Sequence, residues 1–144
     1  MDQLKAMGFE LYVMGDFGCR FEYEGNRYLY IFTDEDEELL SIALPVVYQF
    51  EEKDSETFYR LMDKVNSRRK YVKANLQNGS MWLFYERELI GEEDLDRLLR
   101  RMILHLDSSL YFLRWEQYKM ENGSDGDSDE ESCDSEDDDN KDAA

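Results

Sequence analysis

A single histidine, His105, limits the nucleophilic chemistry open to this chain of 144 residues. A serine hydrolase would pair it with Ser108, Ser109 or a more distant serine, because the imidazole must reach the hydroxyl it deprotonates. Nothing like a nucleophile elbow surrounds those two serines, and His105 falls beside an apolar helical stripe, so a structural or surface role is expected for it. Neither of the glycine-rich phosphate-binding patterns occurs in the sequence. Two acidic stretches could attract cations. Residues 34–38 read as a solvated turn. Asp125, Asp127, Asp129 and Glu136 fall at positions 1, 3, 5 and 12 of a calcium loop, but position 6 is Glu130 where a glycine is needed, and no helix follows. That match is read as a coincidence within an Asp-rich segment, with only weak, non-selective cation condensation expected. Cys19 and Cys133 lie far apart, one in an expected strand and one in the acidic segment, and offer neither a disulfide framework nor a zinc spacing. No catalytic, cofactor-binding or metal site is expected, and the chain is read as a non-enzyme.

Charge constrains the partners. The formal net charge is −18. Residues 121–144 carry twelve acids against one base, Lys141, for −11, and residues 1–120 carry 23 acids and 16 bases, for −7. The C-terminal segment holds no apolar side chain large enough to offset the entropy of ordering, so a disordered acidic tail is expected after a domain spanning 1–120. Two basic islands stand against this background: Arg68, Arg69, Lys70 and Lys73, then Arg97, Arg100 and Arg101. Nucleic-acid binding needs a concentrated basic surface. In so acidic a chain the islands are expected to pair with nearby acids or attract the tail instead. No apolar run is long enough to span a membrane, and the N-terminus lacks the regions of a secretory signal, so a cytoplasmic protein is expected.

The elements that would position these groups follow from periodicity. Met1, Leu4 and Met7 share one face of a short helix ended by Gly8, and Phe9, Leu11 and Val13 alternate as a strand or an extended connection. Residues 19–24 and 27–33 flank Gly25-Asn26, a two-residue hairpin signal that sets 23 opposite 28 and 21 opposite 30. Cys19, Phe21, Tyr23, Tyr28, Tyr30 and Phe32 then form the expected core face, with Arg20, Glu22, Glu24, Arg27, Leu29 and Ile31 opposite. A third strand over 39–44 is expected to stop at Pro45. Asp54 or Ser55 then caps a helix carrying Phe58, Leu61, Met62 and Val65 at helical spacing. A second hairpin turns at Asn78-Gly79. A final helix from Glu92 to about Trp115 follows Gly91, its acidic start suiting the positive end of the helix dipole. The class is α+β: an antiparallel sheet with helices packed mainly on one face, in the order αβββαββα, with room for an extra strand near the start.

The second hairpin carries the functional expectation. Its turn places Val72, Ala74, Leu76, Met81, Leu83 and Tyr85 toward the helices, and Tyr71, Lys73, Asn75, Trp82, Phe84 and Glu86 on the opposite face. Tyr71, Trp82 and Phe84 are the candidate protein-binding residues, since such aromatics anchor interfaces. The competing expectation is intramolecular cover by the N-terminal segment or by Tyr111, Phe112 and Trp115.

The sequence resembles the YbjN-like family, whose fold is similar to that of type III secretion chaperones. The likeness runs from the hairpin at 21–38 through residues 41–48 to 65–110, and rests on Val65-Asn66 closing the middle helix, the alternating hairpin after it and the acidic start of the last helix. The resemblance implies a non-enzymatic domain that binds other proteins, with some bacterial members described as candidate regulators of sensory transduction. The acidic tail departs from the family pattern. The resulting expectation is a chaperone-like or regulatory adaptor for a protein partner, a second copy of the chain included. A small-molecule or ion sensor domain in bacterial signal transduction is the alternative, to be distinguished by an apolar cavity with convergent polar groups.

Overall fold

The computed structural model describes residues 1–32 and 38–123. A short helix α1 (Asp2–Ala6) is followed by β1 (Tyr12–Met14), β2 (Gly18–Tyr23), β3 (Asn26–Ile31) and β4 (Leu39–Gln49). A 3-10 turn (Glu52–Asp54) leads into α2 (Ser55–Arg68), and β5 (Lys73–Gln77), β6 (Ser80–Glu88) and α3 (Leu95–Glu121) complete the described chain. The described strands form one six-stranded antiparallel sheet in the order β1-β2-β3-β4-β6-β5. The expected order therefore holds, and the extra strand is β1, although it begins at Tyr12 and exposes Val13. Phe9 and Leu11 precede it and pack on the core from an irregular stretch. No helix among the described residues is long and apolar enough to cross a membrane.

Helices α2 and α3 cover one face. Phe58, Leu61 and Val65 from α2 and Leu99, Met102, Ile103, Leu106, Leu110 and Leu113 from α3 join Phe21, Tyr28, Ile42, Leu44, Met81, Leu83 and Tyr85 from the sheet in one core. Burial of that apolar surface is the main force holding the layers together. Within the α2–α3 contact lies a buried ionic cluster: Glu116 receives Lys64 Nζ at 3.1 Å and Lys119 Nζ at 3.2 Å. Such a group requires one relative placement of the two helices, because a slip would strand charge in a low-dielectric interior.

The first hairpin is displaced from its sequence-based register. Tyr23 pairs with Asn26, Phe21 with Tyr28 and Cys19 with Tyr30. The turn is Glu24-Gly25, with φ of 53° and 80°, matching the 48° and 81° of Asn78-Gly79 in the second hairpin. Both are turns with positive φ at both centres, where glycine takes the second position and a polar residue the first. Gly25 does so here, which moves Asn26 into the strand. The correction shifts each partner by two residues, an even step, so every side chain keeps its face. Cys19, Phe21 and Tyr28 are buried as expected, with Tyr23 and Tyr30 partly so. Leu29 is the exception on the opposite face, being 4% exposed.

Pro45 does not stop β4. The ladder to β6 breaks between Leu44 and Tyr48 and then resumes, with Val46 at φ 52°. A proline lacks the N–H that a regular ladder needs, and a bulge is where that loss costs least. At the start of α2, Asp54 holds the cap position without a side-chain capping bond. Helix α2 does not close at Val65-Asn66 but runs to Arg68. Helix α3 starts at Leu95, later than the expected Glu92: Asp94 Oδ1 accepts from Arg97 N at 3.3 Å and sets the cap, while Glu93 turns back to accept from Ile90 N and Gly91 N. At its other end α3 continues past Trp115 to Glu121. The acidic run at 34–37, Cys133, the calcium-like spacing and the tail from residue 124 onward lie outside the described residues.

Candidate protein-binding face

The face of the sheet turned away from α2 and α3 carries a row of residues paired strand to strand: Arg20 opposite Leu29, Leu29 opposite Ala43, Ala43 opposite Phe84 and Phe84 opposite Lys73. Trp82 lies two residues before Phe84 on β6, opposite Asn75 and beside the β4 bulge. The register expected from Asn78-Gly79 is the one observed. Residues two apart on a strand share a face, and the two rings stack with centroids 5.9 Å apart and planes 19° from parallel. Both are partly buried by flanking side chains, and Trp82 Nε1 has no acceptor within the described chain. Leu29 and Ala43 are buried here yet stand outside the main core cluster, so this face has an apolar centre of its own.

Around that centre the side chains are polar. Arg27 lies 3.8 Å from Glu22, Arg20 packs its guanidinium over the Tyr12 ring at 4.8 Å, and Ser41 donates to Glu86 at 2.9 Å. An apolar aromatic centre within a charged rim is the anatomy of a protein interface. The intramolecular cover expected from Tyr111, Phe112 and Trp115 does not arise. Tyr111 and Trp115 are exposed on α3, Phe112 packs toward the core, and the N-terminal strand β1 sits at the far edge of the sheet from β5.

Tyr71 does not join the pair. It precedes β5 with φ 72°, a left-handed conformation that a non-glycine residue rarely adopts, and this breaks the alternation. Its ring passes to the helix side, stacking on Tyr85 at 5.7 Å and meeting His105 at 5.0 Å. The structure therefore unites Trp82 and Phe84 and removes Tyr71. Sequence reasoning placed Leu29 on this face but missed Ala43 and the burial of both beside Phe84, because alternation alone does not show that β3, β4 and β6 lie side by side.

His105 is packed among rings, and burial, then Arg101 and Arg69, hold its pKa below the ordinary histidine value. Ser108 and Ser109 accept hydrogen bonds from the Arg69 guanidinium at 2.5 and 3.3 Å. Among the described residues, no three of His, Cys, Asp and Glu converge as metal ligands do. Cys19 is fully buried, and burial raises its thiol pKa. The cleft lined by Met7, Phe9, Tyr23, Arg100, Ile103 and Leu104 holds about 120 Å³. Ligand pockets run to about 300–1,000 Å³. A wider depression of about 330 Å³ along α2 is lined mainly by charged side chains, among them Glu56, Arg60, Asp63 and Arg68.

No protein-family profile matches the sequence, and no curated protein does. Among solved structures, the fold is similar to that of YbjN from E. coli, described as a candidate transcription regulator: the TM-score is 0.58 over 81% of this chain and 89% of that one, at 9% sequence identity. The chain thus has the YbjN-like fold, as the resemblance implied.

Proposed function

We propose that the domain is a non-enzymatic protein-binding module, a chaperone-like or regulatory adaptor, that engages its partner through the Trp82–Phe84 face of the sheet. The observation that carries this reading is the stacked aromatic pair, half-buried beside Leu29 and Ala43 on the sheet face turned away from α2 and α3. Aromatic clusters within a polar rim are enriched at interaction sites. The fold it shares with YbjN, described as a candidate transcription regulator, supports a regulatory role, and the likeness to secretion chaperones implied by the sequence supports a polypeptide as the ligand.

The test is Trp82→Ser in the full chain, with folding followed by chemical denaturation and association by light scattering and by titration with partners recovered on immobilised protein. The reading expects a folded monomer and association weakened by about 2 kcal/mol or more, as for an aromatic anchor. A stability loss of about 3–5 kcal/mol with unchanged association would instead make Trp82 a core residue.

A further inference from the structure

The two basic islands are 24 residues apart in sequence at their nearest, Lys73 to Arg97, and the fold joins them. The end of α2 lies against the middle of α3, where Arg69 donates to Ser108 and Ser109 and stacks over Phe112 at 5.6 Å. His105 meets Tyr71 at 5.0 Å and Tyr85 at 5.9 Å, and Tyr71 stacks on Tyr85. Arg101 sits one turn before His105 on α3. Both Arg101 and Arg69 bear on the imidazole, and Arg101 and Arg87 bear on Tyr85. The result is an aromatic stack, with Tyr71 62% exposed at its outer end, flanked by Arg69 and Arg101 and extended by Lys70 and Lys73. Arg87 is held by Glu93 and Arg100 by Asp96, whereas Arg69, Lys70, Lys73, Arg97 and Arg101 form no ion pair with a described carboxylate.

The same chain supplies the complementary charge. Residues 124–144 hold eleven acids and one lysine. They begin just beyond the end of α3, twenty residues after Arg101, which is about 30 Å along a helix. Twenty-one residues span about 25 Å as a flexible chain and about 70 Å when stretched, so the acids reach the seam without strain. We propose that the acidic segment 125–139 docks in cis on the Arg69–Tyr71–His105–Arg101 seam. Many weak exposed contacts on one tether hold it there, so the contact is strong at low ionic strength and screened at high.

The single histidine reports on this contact. His105 and backbone amide resonances are followed by NMR in the full chain and in a full-length variant whose acids from Asp125 to Asp139 are replaced by Asn or Gln. At about 10 mM salt, where the Debye length is about 30 Å, the native chain is expected to show a higher His105 pKa than the variant, because carboxylates oppose Arg69 and Arg101. Amide shift differences should concentrate at residues 69–73 and 101–108, and both effects should vanish near 1 M salt. Equal pKa values at low salt overturn the proposal, as do shift differences spread evenly over the surface, the mark of diffuse charge. Differences that disappear on dilution assign the contact to another copy of the chain and overturn docking in cis.

Discussion

The Asn66 side chain closes both main-chain hydrogen bonds of Ala74: Oδ1 accepts from Ala74 N at 2.7 Å and Nδ2 donates to Ala74 O at 3.1 Å. Ala74 is the second residue of β5, the strand at one edge of the sheet. An edge strand offers unpaired backbone groups to other chains, and a helix side chain here takes the place of a neighbouring strand. The same pair fixes α2 against the sheet next to Val65 and Val72. Asn66→Ala is expected to cost about 2 kcal/mol, two hydrogen bonds of about 1 kcal/mol each, measured by urea denaturation. A variant as stable as the parent would show that the pair contributes nothing net.

Gly18 is required by contact rather than by conformation. A Cβ at this position would meet the carbonyl oxygen of Tyr30 on the neighbouring strand. Backbone cannot move aside as a flexible side chain can, so Gly18→Ala should destabilise the domain by about 1–3 kcal/mol and loosen β2 from β3 first. Hydrogen exchange at Arg20 and Leu29 measures that loosening, and unchanged protection would refute it.

Glu116 holds two ammonium groups within the α2–α3 interface, with 4% of its side chain exposed. Removing one member of such a cluster leaves buried charge without compensation. Glu116→Ala is expected to lower stability by about 3–5 kcal/mol, and Glu116→Gln by a large part of that. A thermal midpoint within a degree or two of the parent would show that the ammonium groups find other compensation.

Trp82 Nε1 is enclosed without an acceptor in the described chain, and an unmade hydrogen bond costs about 1–3 kcal/mol. Trp82→Phe removes the donor and keeps a ring against Phe84. The free chain is therefore expected to lose less stability than the smaller ring would otherwise cost. If a partner supplies the acceptor, affinity falls while folding is preserved. Calorimetric unfolding of the free chain checks the first expectation, and a loss of about 3 kcal/mol or more would contradict it.

A chain ending at Gly123 should fold as the full chain does, because the core cluster runs from Leu4 to Leu113 and its packed partners end at Met120. The unfolding midpoints of the two are expected to differ by a few degrees at moderate salt. Loss of cooperative unfolding on truncation would make residues 124–144 part of the folded domain.

Local chemistry determined most of the elements. Asn78-Gly79 specified the second hairpin and its register, since a two-residue turn with positive φ leaves little choice of pairing, and the spacing of Phe58, Leu61 and Val65 specified the buried side of α2. In the first hairpin the faces survived a wrong register because the error was an even number of residues. Other features required neighbours distant in sequence. Pro45 reads as a stop until β6 is seen to tolerate a bulge opposite it, and Tyr71 reads as outward until its positive φ turns it onto Tyr85 and His105. Leu29 and Ala43 become a buried outer centre only when β3, β4 and β6 are side by side with Phe84. The two basic islands become one surface only when α2 ends against α3. Periodicity reports which way a side chain points from its own backbone. What it meets there depends on long-range packing, and that is where the tertiary structure decided the candidate site.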